Sequence, residues 1–149
     1  MNHLATSKED ILAASRDLIK ENGWAAVSIR AVASRCSVSA GTIYNYYESK
    51  ADLLSDTIES IWHEIFFHPE DEQIFHDVET CISWIYERLE YGNRQFPGFF
   101  SLHSFGFMRD EKTSGKKRMM KTWGHILNGL CEVLENDPKV RADVFDQEF

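Results

Sequence analysis

Residue type and spacing point to chemistry in the run Ser39-Ala40-Gly41-Thr42-Ile43-Tyr44-Asn45-Tyr46-Tyr47. The chemistry is hydrogen bonding to a polyanion with readable edges. Ala40 and Gly41 strip the bulk from the start of the run, which lets a backbone approach base edges and a thymine methyl closely. Thr42, Tyr44 and Tyr46 carry hydroxyls without a long flexible stem, suited to phosphate oxygens, and Asn45 carries an amide able to pair with a base edge. Ser28 and Ser39 read as helix caps first and as phosphate ligands in addition. Arg30 is a surface cation, open between solvent and a base. Lys50 follows the cap Ser49 and adds positive charge to a helix N-terminus that already favours phosphate. Tyr47 is in phase with Ile43 and reads as packing.

These residues need two short helices packed at a steep angle. That geometry calls for a small residue where the helices cross, a turn residue that tolerates positive φ, and an apolar anchor in the second helix. Ala33 is the small residue, Ser37 sits in the turn, Ile43 is the anchor, and Val38 plugs the space beneath the turn. The two helices are expected over Ser28–Cys36 and Ser39–Tyr47. Before them, Ile11, Leu12, Leu18 and Ile19 recur at helical spacing over Ser7–Asn22, with Ser7 and Asp10 as a capping-box start and Asn22-Gly23 as the stop. After them, Ser49 caps a fourth helix with a broad apolar face from Leu53 to Ile65.

The later chain is also read as helix. One long helix is expected over Glu70–Tyr91, ended by Gly92-Asn93. Pro97 is placed to open another at its first turn. Lys116-Lys117-Arg118 begins or interrupts a further helix that carries Trp123, Ile126, Leu130 and Leu134, and Asn136-Asp137-Pro138 breaks it. No strand-type alternation occurs, so the expected fold is all-α, with a helix-turn-helix head over residues 1–50 and a helical regulatory body over 51–149.

The segment Ser28-Ile29-Arg30-Ala31-Val32-Ala33, followed by Val38 through Lys50 and Leu53, resembles the signature of the TetR (tetracycline repressor) family. The resemblance covers roughly residues 8–65, including Gly23-Trp24 and the Ser49-Lys50 entry to the fourth helix. Ser37 stands where Gly is usual, and Tyr47 where Phe is usual. The resemblance implies an all-helical protein that dimerises through its C-terminal body and senses a small molecule there. The expected function is a ligand-responsive repressor that sits as a homodimer on a pseudo-palindromic DNA operator. Its effector would change the spacing of the two heads. Members of the family usually extend well beyond residue 149, so a short variant or a missing C-terminal segment is expected. Ile126, Leu130, Leu134, Val140, Val144 and Phe145 are then expected to be exposed.

Composition bounds the rest. The chain has 149 residues and a net charge of −8. Residues 1–50 hold six Lys/Arg and five Asp/Glu, a net of +1, and the remainder holds ten and nineteen, a net of −9. That asymmetry is compatible with a head that meets DNA and a body that does not. Three scattered cysteines suit a reducing cytoplasm, and neither a signal peptide nor a membrane span is seen. No nucleophile–base pair, phosphate loop or metal-ligand spacing appears, so no enzyme activity, cofactor or metal is expected. Trp62, Trp84, Phe99, Phe100, Phe105 and Trp123 form an aromatic set that reads either as an apolar effector pocket or as ordinary core.

Overall fold

Serine caps punctuate the first half of the chain. The computed structural model describes residues 6–67, 76–101 and 114–141, without the side chains of 114–119, 121 and 122. Helix α1 (Lys8–Asn22) starts where the Ser7 hydroxyl accepts from the Asp10 N–H at 3.1 Å and the Asp10 carboxylate accepts from the Ser7 N–H at 2.9 Å. This reciprocal pair satisfies two donors that the first turn leaves over. The helix stops at Gly23, whose φ of 81° suits a residue without Cβ. A single 3₁₀ turn, Trp24–Ala26, leads to α2 (Ile29–Arg35), α3 (Ala40–Tyr44) and α4 (Lys50–Phe66), which are capped by Ser28, Ser39 and Ser49. Helix α5 (Val78–Gln95) is capped by Asp77, and α6 (Ser114–Asn136) follows. The described residues hold six α-helices and no strand, so the all-α expectation stands.

One apolar cluster runs through all six helices. Ile11, Leu18 and Ile19 of α1 meet Val32, Ala33 and Ile43 of the short helices and Leu53, Ile58, Ile61 and Ile65 of α4. Burial of this size is the main driving force for the fold. Helix α4 is shared: it contacts α1 on one side and α5 and α6 on the other. It therefore joins the first three helices to the rest.

Several sequence boundaries are corrected. Helix α3 is shorter than the expected Ser39–Tyr47. Its last bonds tighten to three-residue spacing, with Asn45 N–H donating to Thr42 and Tyr46 N–H to Ile43, which ends the helix. Helix α5 begins at Val78 because Asp77 accepts from the Thr80 N–H at 2.9 Å; the earlier part of the expected helix, from Glu70 to Phe75, lies outside the described residues. It also continues through Gly92-Asn93 to Gln95. Gly92 is a packing residue rather than a stop, since a Cβ there would lie 2.6 Å from Ile65 Cδ1 and 2.9 Å from Phe100 Cζ. Pro97 opens no helix within residues 97–101: Gly98 adopts φ 78° and the chain turns, with Ser101 N–H donating to the Gly98 carbonyl. Beyond that point the expected segment, through Thr113, lies outside the described residues.

The expected exposed strip is also corrected. Ile126 is buried, because α6 turns Ile126 and Val133, one heptad apart, toward its neighbours. Leu130, Leu134 and Val140 are half-buried, and Val144 and Phe145 lie outside the described residues. Among the described side chains, the large apolar ones exposed on α6 are instead Met120 and Leu127. The break at Asp137-Pro138 stands, and it has a second role. The Asp137 carboxylate accepts from the Val78 N–H at 2.8 Å and the Lys139 N–H at 2.9 Å, so the end of α6 caps the start of α5. These two backbone donors, Val78 foremost, hold the Asp137 carboxyl below the usual carboxylate range.

Two outcomes follow. Gly92→Ala overpacks the α4–α5 contact by about 1–3 kcal/mol, against which the gain in helix propensity is at most about 1 kcal/mol. Urea denaturation is expected to show a net loss, and a more stable variant would show that Ile65 and Phe100 yield freely. Asp137→Asn is expected to lower the thermal midpoint at neutral pH. A carboxyl whose folded pKa is depressed contributes above its unfolded value of about 3.9, and the contribution fades as pH falls through the lower folded value. The gap between variant and wild type should therefore be constant from pH 6 to 8 and close in acid. A gap independent of pH would remove the carboxylate from the explanation.

Candidate nucleic-acid interface

The α2–turn–α3 unit is set by a few local bonds. Ala33 is buried where α3 crosses, and its carbonyl accepts from the Val38 N–H at 3.0 Å. Ser37 takes φ 56°, the positive value that the turn demands, and is exposed. A left-handed residue with a Cβ costs about 1 kcal/mol, and the fixed positions of Ala33 and Val38 hold it there. Ile43 is fully buried beneath α3. Val38 is half-buried against the core, as the plug reading expects.

This scaffold sorts the candidate residues. Arg30, Ser39, Gly41, Tyr44, Asn45, Tyr46 and Lys50 are exposed, and Ser28, Ala40 and Thr42 are half-buried. Tyr44 exposes 54% of its surface, high for a large aromatic residue. The Gly41 position is open: a Cβ there would meet only Ser39 Oγ, at 3.6 Å. Nothing inside the protein therefore requires glycine, although an interior helical glycine costs roughly 1 kcal/mol against alanine.

Four hydroxyls have internal partners. Ser28 Oγ accepts from the Ala31 N–H at 3.1 Å. Ser39 Oγ accepts from the Thr42 N–H at 3.2 Å and pairs with Thr42 Oγ1 at 3.1 Å. The Tyr46 hydroxyl donates to the Thr6 carbonyl at 2.7 Å. That proton ties the segment before α1 to the end of the α3 turn, so Tyr46 positions the unit rather than offering a spare donor. Tyr47 is buried, as its phase with Ile43 implies, and the Lys8 ammonium lies 5.6 Å from its ring centre.

Sequence reasoning missed the residues that hold α1, against which this unit packs, to α4. Lys8 pairs with Asp56 at 2.6 Å, and Glu64 accepts from Arg16 at 3.1 Å and Lys20 at 2.7 Å. Tyr91 of α5 also donates to Glu64, at 3.2 Å. The one available signal was weak: Asp56 and Glu64 stand eight residues apart along α4, and Arg16 and Lys20 four apart along α1. On the outer side Arg35 forks onto Glu21, and this hydrogen bonding holds the Glu21 carboxyl below its usual range.

The aromatic set is brought together. Trp62 packs against Phe66, Phe99, Phe100 and Trp123 with ring centres 5.1–5.6 Å apart, and Phe66 carries the contact on to Trp84 at 5.8 Å. Phe105 lies outside the described residues. The Trp62 indole N–H is buried with no acceptor among the described residues. Trp24, just after α1, lies 6.4 Å from Phe99, so the cluster touches the first three helices.

Comparison with known proteins falls on this unit. Residues 11–57 match the family model described as bacterial regulatory proteins, tetR family. The TetR resemblance read from Ser28 to Leu53 is thus shown. Curated relatives include the HTH-type transcriptional regulator UidR of Escherichia coli K12, 38% identical over 48 residues, which are 32% of this chain and 24% of the relative. The HTH-type transcriptional repressor KstR of Rhodococcus jostii is 45% identical over 47 residues, 32% of this chain and 22% of the relative. KstR of Mycobacterium tuberculosis is 43% identical over 47 residues, 32% of this chain and 21% of the relative. The matched stretch thus spans a quarter or less of these relatives' length. No helix among the described residues is long and apolar enough to cross a membrane.

The tether gives a direct outcome. Tyr46→Phe removes a single neutral hydrogen bond and is expected to cost about 0.5–1.5 kcal/mol, with faster amide exchange in the first turn of α1. A variant with unchanged stability and exchange would show that the Thr6 contact carries no weight.

Proposed function

We propose that this chain is a sequence-specific DNA-binding transcriptional regulator, acting as a repressor in the cytoplasm. The observation that carries the reading is the outward face of α3. Gly41, Tyr44 and Asn45 are exposed on a helix whose opposite side is anchored by Ile43. Glycine at a position with room for a side chain makes sense when an outside surface must come close. A major groove is such a surface, and Asn45 suits an adenine edge. Ser28, Ser39, Thr42 and Tyr44 then lie toward phosphate, with Arg30 and Lys50 as the cations and Tyr46 as the positioning residue. The family match and the names of the relatives support the same reading.

The remaining parts of the proposal concern the body, residues 51–149. One head contacts too few bases for a unique site, so useful specificity calls for two heads on a pseudo-palindrome. The exposed Met120 and Leu127 of α6 support a second copy as the partner. The aromatic cluster around Trp62 supports a small apolar effector, since it offers rings and the Trp62 N–H, which has no acceptor among the described residues. An effector acts only through different affinities for the DNA-competent and DNA-released states. Helix α4 carries both Trp62 and the ion pairs to α1, so its tilt would transmit the change.

The test is enrichment of duplexes from a random-sequence pool by the full chain, followed by binding of the enriched site. Gly41→Gln is expected to keep the fold, because its Cβ enters open space. It should lose about tenfold or more on the wild-type site, as one disrupted base contact implies, and should enrich a different site. A variant that enriches the same site with unchanged affinity would remove α3 from the groove.

A further inference from the structure

Six Lys and Arg residues fall within the first fifty positions, and a head reading DNA would ordinarily spend most of them on phosphate. Here four are already committed. Lys8 is held by Asp56, whose side chain is only 11% exposed, and Arg16 and Lys20 share Glu64, itself 24% exposed. Turning these cations to an outside phosphate would leave carboxylates on α4 without their partners in a poorly solvated seam. Arg35 is gripped at both terminal nitrogens by Glu21, the geometry in which a guanidinium is most strongly held. That leaves Arg30, near the start of α2, and Lys50, at the start of α4. Both are exposed, and neither has an ion-pair partner among the described residues. Glu48 and Asp52, two positions either side of Lys50, further thin the positive field.

We propose that each head grips DNA phosphate through two cations only, Arg30 and Lys50, the other four being held as struts by carboxylates of this chain, Lys8 and Arg35 at its surface and Arg16 and Lys20 in the seam. The proposal rests on the DNA-binding reading above. Its consequence is that affinity comes mainly from uncharged contacts, and that binding to arbitrary sequence is weak. A repressor so built loses little of its occupancy to arbitrary sequence, because non-specific binding is almost wholly electrostatic and falls with the number of cations on phosphate.

Counterion release converts the count into a measurable slope. Two phosphate contacts predict a slope of log K against log salt of about −1.8 per head. Affinity should then fall about twelvefold per head between 50 and 200 mM KCl, whereas six contacts would cost roughly a thousandfold or more. The experiment uses the full chain and a duplex enriched from a random pool, with fluorescence anisotropy across that salt range and the number of heads bound from sedimentation. A slope shallower than about −3 per head is expected, and a steeper one overturns the proposal. Arg30→Gln and Lys50→Gln should each flatten the slope by about 0.9. Lys20→Gln and Arg35→Gln should leave it unchanged, and Arg35→Gln alone suffices if Lys20→Gln does not fold. A flatter slope in Arg35→Gln would overturn the assignment of struts. If no duplex is enriched at all, the DNA-binding reading itself fails, which is a different result from a steep slope on an enriched site.

Discussion

The seam between α1 and α4 is the constraint on which the other parts depend. Its centre is apolar: Ile11 and Ile19 on one side, and Leu53, Ile61 and Ile65 on the other, are all fully buried. That burial supplies most of the free energy. The rim is ionic, with Asp56 and Glu64 receiving three cations from α1. Exposed ion pairs contribute little to stability, but these are partly sheltered and share a carboxylate. Their weight lies in register, since a slide of one helical turn would leave Glu64 facing only one of Arg16 and Lys20. Glu64 also receives Tyr91 from α5, so one side chain on α4 feels both halves of the molecule.

On that seam rests a small and exact piece of backbone. Helix α3 has only five residues, too short to be stable from its own bonds. It is held by the Ser39 cap, by Ile43 below and by the Ser37 turn behind it. Each of these fixes backbone position and leaves the outer side chains free of internal work. Gly41, Tyr44 and Asn45 are the beneficiaries. The head thus separates what holds the helix from what the helix presents.

The legibility of these features in the sequence follows the range of the interaction. Caps act over three residues, so Ser7, Ser28, Ser39 and Ser49 could each be read where they stand. The positive φ at Ser37 was implied by its distance from Ala33 and Ile43. Longer-range effects were misread. Gly92 looks locally like a helix stop, and its true reason, the approach of Ile65 and Phe100, comes from residues 27 positions before it and eight after it. Asp137 looks like part of a terminating Asn-Asp-Pro, while its carboxylate caps a helix 59 residues away. Glu64 gave only the weak signal of its spacing from Asp56, because three donors on two other helices define it. The inward turn of Ile126 was hidden for a related reason: α6 has apolar residues on more than one face, and only its neighbours decide which is covered.

The contact between Tyr46 and Thr6 bears on how the protein can be handled. Thr6 is buried beside the end of the α3 turn, so any peptide fused ahead of Met1 joins the chain only five residues from that point. Five residues reach at most about 17 Å when fully extended, roughly half a turn of a DNA double helix along its axis. A purification tag or fluorescent fusion placed there would therefore sit at the edge of the surface proposed to meet DNA. Labels attached elsewhere, at the exposed Cys131 of α6 for example, keep that edge clear.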